Sequence, residues 1–87
     1  MKLVAKPVNM IAAFDESGFP TPLRFKMEEA DSEYRVIKVD KIIRTESIKP
    51  AGMESIVFLC QSEVQNIMKR YELIYRVKTH QWELYKI

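Results

Sequence analysis

Apolar residues recur at every second position through most of this chain, and that period commits it to β-structure. Leu23, Phe25 and Met27 alternate with Arg24, Lys26 and Glu28. Tyr71, Leu73, Tyr75 and Val77 alternate with Glu72, Arg76 and Lys78. Successive side chains of a strand point to opposite faces, so these segments bury one face and wet the other, as antiparallel strands do. Val8, Met10, Ala12 and Phe14 alternate with Asn9, Ile11 and Ala13, and that period argues for a strand with a heavily buried face. Trp82 and Leu84 against Glu83 and Tyr85 form a closing strand. The short apolar run from Ile56 to Cys60 is rich in β-formers and reads as a central strand. Phe14, Phe25, Phe58 and Trp82 are expected in the core, where large aromatics pack first.

Turn chemistry separates these runs. Asp15 to Pro22 holds two prolines, a glycine and two acids, which makes it a loop. Glu29-Ala30-Asp31-Ser32 reads as a hairpin turn, Glu46 to Glu54 as a connection, and Thr79-His80-Gln81 as a tight turn. From Glu33 to Thr45 the apolar set changes face partway along, from Tyr34 and Val36 to Ile37 and Val39. A strand does this at a bulge or a sharp bend, and small barrels need such bends to close. The segment from Ser62 to Met68 is open to two readings. Ser62 with Gln65 fits a capping box, and Val64, Ile67, Met68 and Tyr71 lie at helical spacing. The alternation that starts at Tyr71 favours a loop or one helical turn leading into a strand.

The expected fold is mainly β: a small antiparallel meander of about six strands, curled into a partly open barrel or a twisted sheet. It leaves room for one short helix near 62–70. The 87 residues are enough for one domain, 1–87, and too few for two separate cores. A single cysteine, Cys60, rules out an internal disulfide and fits a reducing compartment, so the cytoplasm is the expected location. Neither a signal peptide nor an apolar membrane span is expected. Short strands leave edges, and pairing of edges in a homodimer is one way to cover them.

Few residues suggest chemistry. His80 is the only histidine, and no Ser or Cys nucleophile is tied to it by spacing, so it reads as an exposed turn residue. Cys60, flanked by Phe58 and Leu59, reads as a small buried hydrophobe. One His and one Cys do not complete a structural zinc site. The acidic groups Asp15 with Glu16, and Glu28, Glu29, Asp31 with Glu33, match no calcium loop. No catalytic, cofactor or metal residue is therefore assigned. The basic residues are the more informative set. Net charge is only +2, but it is polarised: residues 15–33 carry six acids against two bases, and residues 35–49 five bases against two acids. If Arg24, Lys26, Lys38, Lys41, Arg44, Arg76 and Lys78 shared a face, that face would track a phosphate backbone, with Tyr34, Tyr75 or Tyr85 stacking on bases. The ordinary alternative is a wet sheet face kept soluble by Lys and Arg.

The run Met10-Ile11-Ala12-Ala13-Phe14-Asp15, then Gly18, then Pro22-Leu23-Arg24-Phe25-Lys26, resembles the opening of a family of short bacterial proteins with no assigned activity. The likeness continues through Tyr34-Arg35-Val36-Ile37-Lys38-Val39, Ser47-Ile48-Lys49, Gly52, Cys60, Leu73-Ile74-Tyr75 and Trp82. This chain departs from the pattern at Pro50-Ala51-Gly52-Met53, where the family tends to paired glycines, and in a longer segment from Val64 to Arg70. The resemblance implies the small β-fold and no function. Sequence thus leaves a binding or interaction module without enzymatic activity as the first expectation and a nucleic-acid-associated module as the second. A small enzyme with a site near His80 comes last.

Overall fold

A computed structural model describes residues 1–29 and 31–87. They form one antiparallel sheet of seven strands: β1 (Leu3–Phe14), β2 (Pro20–Glu28), β3 (Tyr34–Lys38), β4 (Lys41–Ile48), β5 (Ser55–Val64), β6 (Ile67–Arg76) and β7 (Gln81–Lys86). The spatial order is β3-β2-β1-β7-β6-β5-β4, and the sheet curls into an open half-barrel. The expected mainly β, antiparallel, partly open barrel is this fold, with seven strands where about six were expected. The extra strand comes from the segment that changes face. Its sharp bend is the Val39–Asp40 corner, which carries the chain from one edge strand, β3, to the other, β4.

That corner brings the two edges together at one end of the half-barrel. The Val39 N–H donates to the Leu23 carbonyl at 2.9 Å on the β2 side, and the Asp40 N–H to the Gln61 carbonyl at 3.2 Å on the β5 side. The Asp40 carboxylate accepts from the Glu63 N–H at 2.8 Å. Beneath them the Ser62 hydroxyl donates to the Lys38 carbonyl at 2.6 Å and lies 2.6 Å from the Tyr71 hydroxyl. Ser62 has one proton to give, and Lys38 takes it, so Tyr71 is the donor to Ser62.

The segment from Ser62 to Arg70 is not helical. β5 and β6 pair without interruption from Ser55↔Arg76 to Val64↔Ile67, joined by Gln65 and Asn66 alone. Both turn residues have positive φ, 52° and 64°, the signature of a two-residue type I′ hairpin. Such a turn twists with its strands, and Asn tolerates the left-handed region, so strand pairing wins over the helical spacing of the side chains. Among the described residues the only helical piece is a 3₁₀ turn at Pro50–Gly52. The expected turn at 29–32 is bridged by a bond from the Ser32 N–H to the Glu29 carbonyl, while Ala30 lies outside the described residues.

The core fills the concave face. Phe25, Phe58, Cys60, Tyr71, Leu73 and Leu84 are buried there, with Met10, Ile37 and Ile42 packed against them. Edge-to-face and tilted aromatic contacts tie its strands together: Phe25 with Tyr71 at 5.6 Å and Phe58 with Trp82 at 5.6 Å between ring centroids. β1 has no heavily buried face: Val8, Met10 and Ala12 are only half-buried. Two expectations about side-chain direction also need correction. Leu23 is exposed because Ile11 pairs with Arg24 and Ala12 with Pro22, which leaves Leu23 as the extra residue of a bulge. Phe14 is 53% exposed, because β1 outruns its neighbour β7: the last β1–β7 pair is Val8↔Trp82. No helix among the described residues is long and apolar enough to cross a membrane.

Candidate functional site

The overrun of β1 builds a cleft at the end of the half-barrel away from the Val39–Asp40 corner. Beyond Val8 the β1–β2 hairpin continues as an arm with no β7 beside it. Met10, Ala12 and Phe14 line the arm's inner side, Trp82, Tyr75 and Ile56 form the floor, and Val77, His80, Glu54 and Ser47 make the far wall. The cleft is open to solvent on one side and has a volume of about 890 Å³. That is the size of a small-molecule site, and its lining mixes apolar and aromatic groups with four polar ones, Ser17, Ser47, Glu54 and His80.

Each wall is fixed by local chemistry. The arm ends in a turn organised by one oxygen of Asp15, which accepts from the Ser17 N–H at 2.9 Å, the Ser17 hydroxyl at 2.7 Å and the Phe19 N–H at 2.9 Å. The Ser17 side-chain bond first, and then the backbone bond from Phe19, hold the Asp15 carboxyl below its ordinary value. Its ionised form, and with it this turn, persists as pH falls toward that lowered value. Gly18 has φ +86°, a conformation that an L side chain would strain. The turn thereby seats Phe19 at the cleft rim, its ring 6.4 Å from Phe58. On the opposite side the β6–β7 turn closes with the His80 N–H donating to the Arg76 carbonyl at 2.8 Å. His80 sits at φ +59°, and its Nδ1 lies 3.0 Å from the Tyr75 hydroxyl. His80 is exposed, as the sequence suggests, but it is also tied to a buried tyrosine of the floor.

The sequence-derived basic set is only partly gathered. Arg24 and Lys26 lie on the outer face of β2, opposite in direction to buried Phe25, and Lys38 is the register partner of Arg24 on β3. Tyr34 is exposed on the same face, with Lys26 Nζ 4.8 Å from its ring centroid. These four form one patch. Lys41 begins β4 after the corner, while Arg44 lies over the outer side of β4 and β5 beside Glu46 and Glu72. Arg76 is engaged with Glu83 at 3.4 Å and with the Ser55 hydroxyl at 3.5 Å. Lys78 is in the β6–β7 turn. Of the tyrosines proposed to stack, Tyr75 is buried on the cleft floor, away from this patch, and Tyr85 is half-buried.

Sequence reasoning missed the cleft. Its walls come from the arm, the connection after β4 and the β6–β7 turn, which only the sheet order makes neighbours. Cys60 is buried, as expected, and burial pushes its thiol from 9.0 up to about 12. Among the described residues no group of three or more His, Cys, Asp or Glu is placed to hold a metal ion. No protein-family model, curated protein or solved structure matches the chain.

Proposed function

We propose that this protein is a binding module that takes a small, largely apolar ligand into the cleft between the β1–β2 arm and the β6–β7 turn. The observation that carries this reading is the cleft of about 890 Å³, lined by Phe14, Phe19, Tyr75 and Trp82, with the Tyr75–His80 pair as its organised polar feature. Polar groups in such a site orient a ligand, while the apolar walls supply most of the affinity. The imidazole of His80 is paired with the largely buried Tyr75 hydroxyl, and the Ser17 hydroxyl is bonded to Asp15, an arrangement that favours binding over catalysis.

Chemical-shift mapping with a neutral aromatic alcohol such as benzyl alcohol tests the reading. Backbone shifts are expected to concentrate in residues 10–19 and 75–82. The Ala12→Trp variant fills the cleft from a half-buried lining position and is expected to abolish those shifts while the remaining spectrum stays folded. Shifts scattered over the surface, or unaltered by Ala12→Trp, would overturn it.

A second reading rests on the patch of Arg24, Lys26, Lys38 and Tyr34. Basic residues around an exposed ring support a single-stranded nucleic acid, held by phosphate contacts and one stacked base. Fluorescence anisotropy with a single-stranded oligonucleotide is expected to show binding that weakens as salt rises and is reduced by Arg24→Glu with Lys26→Glu. Absence of binding at low salt removes this reading.

A further inference from the structure

We infer that the cleft selects a small quaternary ammonium compound, a trimethylammonium head on a short body, over neutral and anionic ligands of the same shape. The inference rests on the cleft's being a ligand site and adds the charge of the ligand.

Four aromatic side chains line this space: Phe14 and Phe19, exposed at the rim, and Tyr75 and Trp82, largely buried on the floor. They form a connected wall. The Phe14 and Tyr75 rings meet edge to face at 6.0 Å, and Tyr75 and Trp82 lie 4.8 Å apart. Phe58 stands behind, 5.6 Å from Trp82 and 6.4 Å from Phe19. The face of each ring carries the negative side of its quadrupole, and a cation within about 6 Å of a ring centroid is attracted to it.

The charged groups point the same way. Glu54 is the only carboxylate in the lining, and among the described residues no Lys or Arg lines the cleft. Asp15, in the turn that seats Phe19, is not part of the lining; its ionised carboxylate is taken up by three hydrogen bonds within the turn. An anionic ligand would meet Glu54 and the ring faces with no cation to offset them. A neutral ligand would leave the Glu54 charge unused.

The choice of an alkylated over a primary ammonium follows from hydrogen bonding. A primary ammonium has three N–H donors that must find acceptors when water is removed. The floor offers few: the Tyr75 hydroxyl is already engaged with His80, and Ile56 and Trp82 contribute only apolar surface, so the free acceptors stand apart from the rings, at Glu54 and Ser47 on the far wall and Ser17 at the rim. A trimethylammonium group has no N–H to satisfy, presents methyl groups to the rings, and keeps its charge at every pH.

Choline and 3,3-dimethylbutan-1-ol are the probes, because they share a shape and differ in charge. Titration of the intact chain, followed by the Trp82 indole N–H resonance, is expected to give choline an affinity roughly fivefold or more above that of the alcohol, the scale of a cation on partly exposed rings. Glu54→Gln and Phe14→Leu change exposed positions. Each is expected to weaken choline severalfold more than it weakens the alcohol, and equal losses for the two probes would overturn the charge selection. If the alcohol binds as tightly as choline, the charge selection is wrong and the cleft reading stands. If neither probe moves the Trp82 resonance or those of residues 10–19, both fall.

Discussion

Replacing Phe58 with alanine is expected to remove about 3–5 kcal/mol of folding stability, the range found when a buried phenylalanine is truncated in a packed core. Phe58 is 1% exposed and lies at the centre of the concave face, opposite Leu73 on β6 and in ring contact with both Trp82 and Phe19. Its removal empties the layer that joins β5 to the arm, so the cavity term adds to the lost transfer energy. At about 0.05–0.15 kcal/mol per residue a domain of this size has only some 4–13 kcal/mol in total, so the variant is close to the limit of folding. Urea unfolding followed by Trp82 emission measures the effect as a fall in midpoint. Phe14→Ala is the matched control: the same atoms are removed from a residue 53% exposed at the cleft rim. That change is expected to cost less than about 1 kcal/mol. Equal losses from the two substitutions would mean that the arm is part of the core.

The contrast between these two phenylalanines shows what the sequence could reveal. Period-two alternation identifies which residues share a face, and it correctly places Phe25, Phe58, Leu73 and Leu84 inside. Period alone does not say how far a neighbouring strand extends. Phe14 has the right parity for the core, but β7 begins too late to cover it. The same blindness hid the cleft, which exists only because one strand outlasts the next. At Gln65-Asn66 the information was local but ambiguous, because a two-residue turn leaves no Gly or Pro when Asn takes the left-handed position. The change of apolar face between Val36 and Ile37 pointed to a bend in this segment, but β3 pairs evenly from Tyr34 to Lys38 with Tyr34 and Val36 exposed on its outer face, and the chain bends only at Val39–Asp40. That the bend carries the chain between opposite edges depends on the order of all seven strands, which no local pattern encodes.

Ser62→Ala is expected to destabilise the fold by about 1–3 kcal/mol, chiefly because it leaves the buried Tyr71 hydroxyl without a partner. Two groups are at stake, the Tyr71 hydroxyl and the Lys38 carbonyl, which meet at the Ser62 oxygen where the two sheet edges close. Tyr71→Phe is the gentler change, since Ser62 keeps its bond to Lys38, and about 0.5–1.5 kcal/mol is expected. In a double-mutant cycle the two substitutions should fall well short of additivity, because each removes the same contact. The pH response tests the same place. Burial raises the Tyr71 hydroxyl from 10.0 to about 12, with the Ser62 bond as a smaller opposing cause, and burial alone raises neighbouring Cys60 from 9.0 to about 12. The unfolded chain therefore releases these protons before the folded one does. Stability is intact below pH 9, declines as the unfolded thiol and then the unfolded phenol ionise, and is lost as pH rises toward 12. Cys60→Ala should move the onset of that decline from about pH 9 to about pH 10. Alkaline titrations of the two proteins with the same onset would mean that the Cys60 thiol is not closed off from solvent, and that the seam beside it opens in the native state.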